Sequence, residues 1–285
     1  MKYAVIDIGS NSVRLMLWAN GTLYKKVNTT RLAEGLSCSG SLSDAAMERT
    51  ARAVSEFCEE GRREGAQVLA FATAAVRSSS NGEVFCARVK ALCGLDVDVI
   101  SGEEEALLGL SGALGTGDGG IIDIGGASTE VCIRERGIVR TSLSLPVGAV
   151  RILDLCGQSI GRIDAFVTDA VRPLRGISCG DGKMYAIGGT ASTLASMCLC
   201  LSEYDASKLS GAELSLDWVK AAALRLIMTP TEERKKICGM DPRRADVIAG
   251  ATVLLMKIME SLRLPAVYFS DADNLEGYLA VRGLS

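Results

Sequence analysis

The chain has no histidine among its 285 residues. This excludes Ser-His-Asp and Cys-His catalysis, histidine phosphotransfer, His-ligated zinc and any phosphohydrolase whose metal sits on a His-Asp pair. Chemistry must come from carboxylates, hydroxyls, Lys, Arg, Cys, backbone amides or a bound metal. A basic excess is also missing: 31 Lys+Arg stand against 34 Asp+Glu, a net charge of -3. That balance argues against a duplex-DNA binder, and no nucleic-acid partner is expected. No apolar run reaches the ~18–20 residues of a membrane span. The best candidate, Val247 to Met256, is followed by Lys257 and reads as a buried helix. The ten cysteines show no CxxC spacing, and Cys198-Leu199-Cys200 lacks a second ligand pair for zinc. Most sit in apolar patterns such as Val131-Cys132-Ile133 and read as small buried side chains in a reducing cytoplasm. The opening MKYAVIDIGSN enters a strand directly, with no signal peptide, which also favours a cytoplasmic protein.

What is present is an ordinary folded composition, 48% hydrophobic and 23% charged. The patterning is α/β. Strands are expected at Tyr3–Ile8, Val13–Trp18 and Thr22–Val27, the last two joined by an Asn20-Gly21 hairpin turn. Ser43 is a candidate N-cap for a helix to about Gly61. Strands at 68–72 and 97–100 follow, with a helix between them closed by Gly94, then a helix from Glu103 to Leu114. The chain then repeats itself. IDIGSNSVRLMLWANG (6–21) aligns without gaps on IDIGGASTEVCIRERG (122–137), so Asp7, Gly9, Ser12 and Gly21 match Asp123, Gly125, Ser128 and Gly137. The second copy continues as α/β, with a strand at 184–187 running into Gly188-Gly189-Thr190-Ala191-Ser192. An apolar helix over 246–262, a strand at 266–270 and a final helix complete it.

Glycine-rich turns after strands let backbone N–H groups converge on an anion. Ser10, Asn11 and Ser12 in the first such turn, and Ser128 and Thr129 in the second, add side-chain donors, and 188–192 forms a third. An Asp at each strand end suits a phosphate only if a divalent cation lies between them. Two facing loops of this kind would clamp a phosphate chain. Glu103, Glu104 and Glu105 open a helix, where consecutive residues diverge by about 100°, so they cannot share one role. In a chain without histidine, a carboxylate is the natural base to position an attacking water. Arg77, shortly after a buried strand, is a candidate phosphate ligand but reads by itself as a surface residue. Arg234, Lys235, Lys236, Arg243 and Arg244 read as a solvated loop.

The combined pattern resembles the Ppx/GppA family of exopolyphosphatases and guanosine pentaphosphate phosphohydrolases. That family belongs to the ribonuclease H-like superfamily of actin, sugar kinases and the heat-shock chaperone ATPase. The resemblance rests on VIDIGSNSVRL (5–15), ATAAVRSSSN (72–81), ISGEEEA (100–106), IIDIGGASTE (121–130), SLPVGAVRI (144–152), GGTASTLA (188–195) and GMDPRRADVIAGA (239–251). It implies Glu105 as catalytic base and Asp123 as the acid that holds the metal or positions water. It implies Ser10, Asn11, Ser12, Arg77, Gly125, Gly126, Ser128, Gly189 and Thr190 around phosphate, and Asp7 as support for the first loop and a second metal contact. Two departures stand out: Ala127 replaces the usual third Gly of the second loop, and Asp273-Asn274-Leu275-Glu276-Gly277 stands where the family commonly has Gly-Leu-Arg-Glu-Gly, removing an Arg. The long members' C-terminal His-Asp domain is absent from these 285 residues, consistent with a preference for short chains.

The expectation is therefore an α/β hydrolase of two similar domains with a cleft between them. The first domain would span 1–115, completed by 271–285, and the second 116–270. The expected activity is Mg2+-dependent removal of the terminal phosphate of inorganic polyphosphate. The alternatives are a guanosine pentaphosphate 5'-phosphohydrolase and a non-catalytic sensor of guanosine tetraphosphate or polyphosphate. A small-molecule kinase and an actin-like filament are more distant rivals. The resemblance is compatible with a homodimer.

Overall fold

A computed structural model describes residues 1–285. It contains two mixed sheets covered by helices. In the first, β1 (Tyr3–Ile8), β2 (Val13–Trp18), β3 (Thr22–Asn28), β4 (Gln67–Ala72) and β5 (Asp98–Val99) lie in the order β3-β2-β1-β4-β5. In the second, β6 (Gly119–Ile124), β7 (Thr129–Glu135), β8 (Ile138–Leu145), β9 (Met184–Ile187), β10 (Glu213–Ser215) and β11 (Ala266–Phe269) lie in the order β10-β11-β9-β6-β7-β8. The repeated segment builds the same device twice. An antiparallel meander, β1-β2-β3 or β6-β7-β8, has its first strand paired in parallel with β4 or β9. Every residue of β1 and of β6 is buried, as expected for central strands covered on both faces.

The helix Asp44–Arg63 begins where Ser43 accepts a hydrogen bond from the Ala46 N–H. The expected strand over 97–100 shrinks to Asp98–Val99. The Ile100 N–H makes the last ladder bond, to the Ala72 carbonyl, and the strand stops there because Ser101 at once caps the helix Gly102–Leu114. The final helix, Asn274–Val281, lies along Gly102–Leu114. Gly112 and Gly277 permit that approach: a Cβ at either would collide with a carbonyl of the facing helix or its cap, Asp273 or Leu108. Leu275, Tyr278 and Leu279 then join Tyr3, Val5, Met16, Phe71, Ile100 and Leu108 in one apolar cluster. Phe71 and Tyr278 stack there with ring centroids 4.7 Å apart. All ten cysteines are free thiols. No helix is long and apolar enough to cross a membrane.

Candidate active site

The strand ends of β1 and β6, the turns that follow them and the third glycine-rich turn converge on one polar cavity of about 70 Å³. Asp7, Ser10, Asn11, Ser12, Glu105, Asp123, Gly125, Gly126, Ser128 and Gly189 all line it. Two other residues singled out from the sequence stand behind its wall. Thr190 is buried and donates its hydroxyl hydrogen bond to the Ile124 carbonyl at 3.0 Å. Arg77 donates to the Ile100 carbonyl at 2.7 Å and to Glu105 Oε2 at 3.1 Å, so its charge is spent on the buried acid. Ala127 is buried and has no positive φ, so the missing glycine introduces no backbone strain.

The three consecutive acids separate as helical geometry requires. Glu103 is exposed. Glu104 closes a capping box: its N–H donates to Ser101 Oγ at 3.1 Å and its carboxylate accepts the Ser101 N–H at 2.7 Å. Glu105 alone turns inward and is 6% exposed. Burial pushes its carboxyl up to about 8; Arg77 opposes the shift, while Asp123 and Asp7 add to it.

Strand register exposes an asymmetry that the motifs alone do not show. Asp7 faces Arg14 across β1–β2, and Asp123 faces Glu130 across β6–β7. Arg14 and Glu130 are the same position of the internal repeat, 116 residues apart, but carry opposite charge. Arg14 Nε donates to Asp7 Oδ2 at 2.9 Å, and its two terminal nitrogens also pair with Asp7 and Asp273. Asp7 Oδ1 stays buried without a partner. Asp123 has no such cation beside it. Burial lifts it to about 7; Arg14 opposes, and Asp273 and Asp7 add to the rise. Glu130 accepts from Ser144 Oγ at 2.7 Å and leaves Oε2 unpartnered. Burial, then Glu105 and Asp123, hold its carboxyl well above the usual range.

The basic loop is also not simply solvated. Arg234 is 2% exposed and its guanidinium donates to the Leu226 and Ala245 carbonyls and to Gln158. Arg244 lines the cavity and lies on Gly189, where any Cβ would collide with the guanidinium. Burial draws its pKa down to about 10, which leaves it charged at neutral pH. Thr73, Gly188 and Asn274 also line the cavity. Register with the two aspartates could have found Arg14 and Glu130; Arg244 stands in the DPRRAD motif, but its basic neighbours make it read as part of a solvated loop.

The cavity offers hard oxygen donors and two guanidinium groups. No three acidic or thiol side chains stand close enough to cage a metal by themselves. That suits Mg2+, which commonly takes one or two carboxylates and completes its shell with water and phosphate oxygens. The unpartnered Asp7 Oδ1 and the cation-poor Asp123, both on the cavity wall, fit such an ion.

The model of the Ppx/GppA phosphatase family matches residues 16–281. The chain belongs to this family. Like its members, it is a phosphoanhydride hydrolase. It is 30% identical to Exopolyphosphatase 2 of Mycobacterium tuberculosis, over 97% of each chain. It is also 30% identical to the guanosine-5'-triphosphate,3'-diphosphate pyrophosphatase of Photobacterium profundum, covering 96% of this chain and 58% of that one. A solved Ppx/GppA enzyme of Aquifex aeolicus superposes with a TM-score of 0.79 at 28% identity, over 99% of each chain. An exopolyphosphatase of Cytophaga hutchinsonii shares the fold, with a TM-score of 0.86 at 24% identity, over 100% of this chain and 99% of that one. The Ppx/GppA motifs thus lie on the loops and strand ends that surround the cavity.

Proposed function

We propose that this phosphatase is an exopolyphosphatase that removes the terminal phosphate of inorganic polyphosphate with the help of Mg2+. The observation that carries the reading is the buried Glu105 carboxyl in a polar cavity walled by two repeated Ser- and Gly-rich turns and by Arg14 and Arg244. The name of the Mycobacterium tuberculosis relative, matched over nearly its full length, supports the same substrate.

Phosphoryl transfer to water demands positioning and charge neutralisation more than covalent chemistry. The turn at Ser10, Asn11 and Ser12 and the turn at Gly125, Gly126 and Ser128 would hold the terminal phosphates by backbone and hydroxyl donors. Arg244, charged and poorly solvated, would bind a non-bridging oxygen. Bound Mg2+ would offset charge on the last phosphates. Asp123 is its better ligand, because Asp7 already has Arg14 as counter-charge. Glu105 would accept a proton from water as the water oxygen bonds to the terminal phosphorus in line with the bridging oxygen. The bridging P–O bond breaks, and orthophosphate leaves a chain one unit shorter. Arg77 then acts behind Glu105, holding its carboxylate rather than the substrate.

The test is orthophosphate release with Mg2+ from short and long polyphosphate, guanosine pentaphosphate and ATP, with Glu105→Gln as control. Fastest release from polyphosphate, abolished in the variant, is the expected result. Faster release from guanosine pentaphosphate would reassign the substrate within the family. Tight binding with no release from any of them would replace the enzyme reading with a sensor.

A further inference from the structure

The last helix meets the cavity through Asn274, one residue before the site of the missing family Arg. Leu275 is 1% exposed and packed into the apolar cluster under β1 and β4, so it faces away from substrate. Asn274 is 2% exposed and donates from Nδ2 to Asp123 Oδ2 at 3.1 Å. It is the only side-chain donor on that carboxylate. Its Oδ1 is buried without a partner, over Gly109 and beside the Ile187 and Ile121 side chains.

A buried amide with an unmet acceptor is a poor choice for stability, and an apolar residue of the same size would suit that wall better. The backbone around it is nevertheless firmly set. Asp273 Oδ1 accepts the Leu275 N–H at 3.0 Å, and Glu276 accepts the Asp273 N–H at 3.0 Å, a second capping box. Asp273 also pairs with Arg14. With both neighbours anchored, the Asn274 amide has little freedom to leave Asp123.

We infer that Asn274 is a positioning residue that fixes the Asp123 carboxylate for metal and substrate, an inference that rests on the role assigned to Asp123 above. It does from the last helix what an outer hydrogen bond does for a metal-binding carboxylate, where removal typically costs about 10–100-fold in activity or metal affinity.

The experiment uses full-length Asn274→Leu and Asn274→Ala, with Asp123→Asn alongside. For each, kcat and KM are measured on the polyphosphate the wild type hydrolyses fastest. The Mg2+ concentration giving half of the Mg2+-induced rise in Tm is measured without substrate. The expected result is a kcat loss of about 10–100-fold in both Asn274 variants with KM almost unchanged, and a higher Mg2+ requirement for the Tm shift. The leucine variant removes the unmet amide acceptor but also strips the Asp123 carboxylate of its side-chain donor, so Tm is recorded for both variants; if leucine fails to fold, the alanine variant carries the test. Wild-type kcat in the Asn274 variants, or a fall in Tm and kcat with an unmoved Mg2+ requirement, would overturn the inference and leave a structural residue. An active Asp123→Asn enzyme would instead remove Asp123 from the chemistry and take this inference with it. An inactive Asp123→Asn beside fully active Asn274 variants would sink the inference alone.

Discussion

Glu105 differs from its neighbours because one helical turn sends three acids in three directions, into solvent, into a cap and into the cavity. Only the inward one is desolvated, and desolvation raises its carboxyl to about 8, close enough to neutral pH for the base proposed above. Glu105→Gln should therefore lower kcat by about 10²–10⁴-fold while substrate binding persists, read by steady-state kinetics and by titration with polyphosphate. Gly189→Ala makes a different prediction. The new Cβ would displace the Arg244 guanidinium, the flexible end of a long side chain. KM should rise by about 10-fold, the order expected for one charge-assisted contact, with Tm almost unchanged. An unmoved KM would take Arg244 off the substrate. At this scale the motifs located most of the cavity lining, because Gly, Ser and Asp recurring together at strand ends are what an anion-binding turn with a cation beside it requires. They did not reveal Glu130, Arg14 or Asn274. The first two required the strand register that sets them opposite the aspartates, and the third comes from the far end of the chain.

At the scale of elements, periodicity and caps were legible because they are local. Ser43 starts its helix as its position before the apolar periodicity suggests, Ser101 caps a helix expected only from Glu103, and the ungapped repeat became two matching meanders. The strand β5 is shorter than its apolar run suggests, since such a run does not show where the ladder stops pairing. The place of the basic segment was hidden too: Arg234 is structural because three distant acceptors surround it, and only the fold assembles those. The Ser101 cap links stability to function, since it fixes the first turn of the helix that carries Glu105. Ser101→Ala should destabilise the protein by about 1 kcal/mol in urea unfolding, the usual worth of an N-cap. Because Glu105 lies four residues from that cap, kcat should fall along with it. A stability loss with kcat untouched would show that Arg77 alone keeps Glu105 in place.

For the whole molecule, burying Glu105, Asp123 and Glu130 together has a consequence for folding that no single motif carries. Glu105 stands at about 8 against an ordinary 4.5, and Asp123 at about 7 against 3.8. Between those values the unfolded chain has released protons that the folded chain still holds. Stability from these groups is therefore fully present below about pH 4 and is lost as pH rises toward 8. This is opposite to the usual carboxylate, whose native ion pair is lost in acid. The metal-free protein should show a falling urea midpoint from pH 5 to pH 8, and Glu105→Gln should flatten the upper part of that slope. An ion that binds the ionised acids must reverse the trend. Mg2+ should thus raise Tm more at pH 8 than at pH 6, because at pH 6 protons already occupy the carboxylates it would bind. Equal Mg2+ shifts at both pH values would mean that the ion binds elsewhere, and the cluster would then have to be neutralised by protons even in the working enzyme.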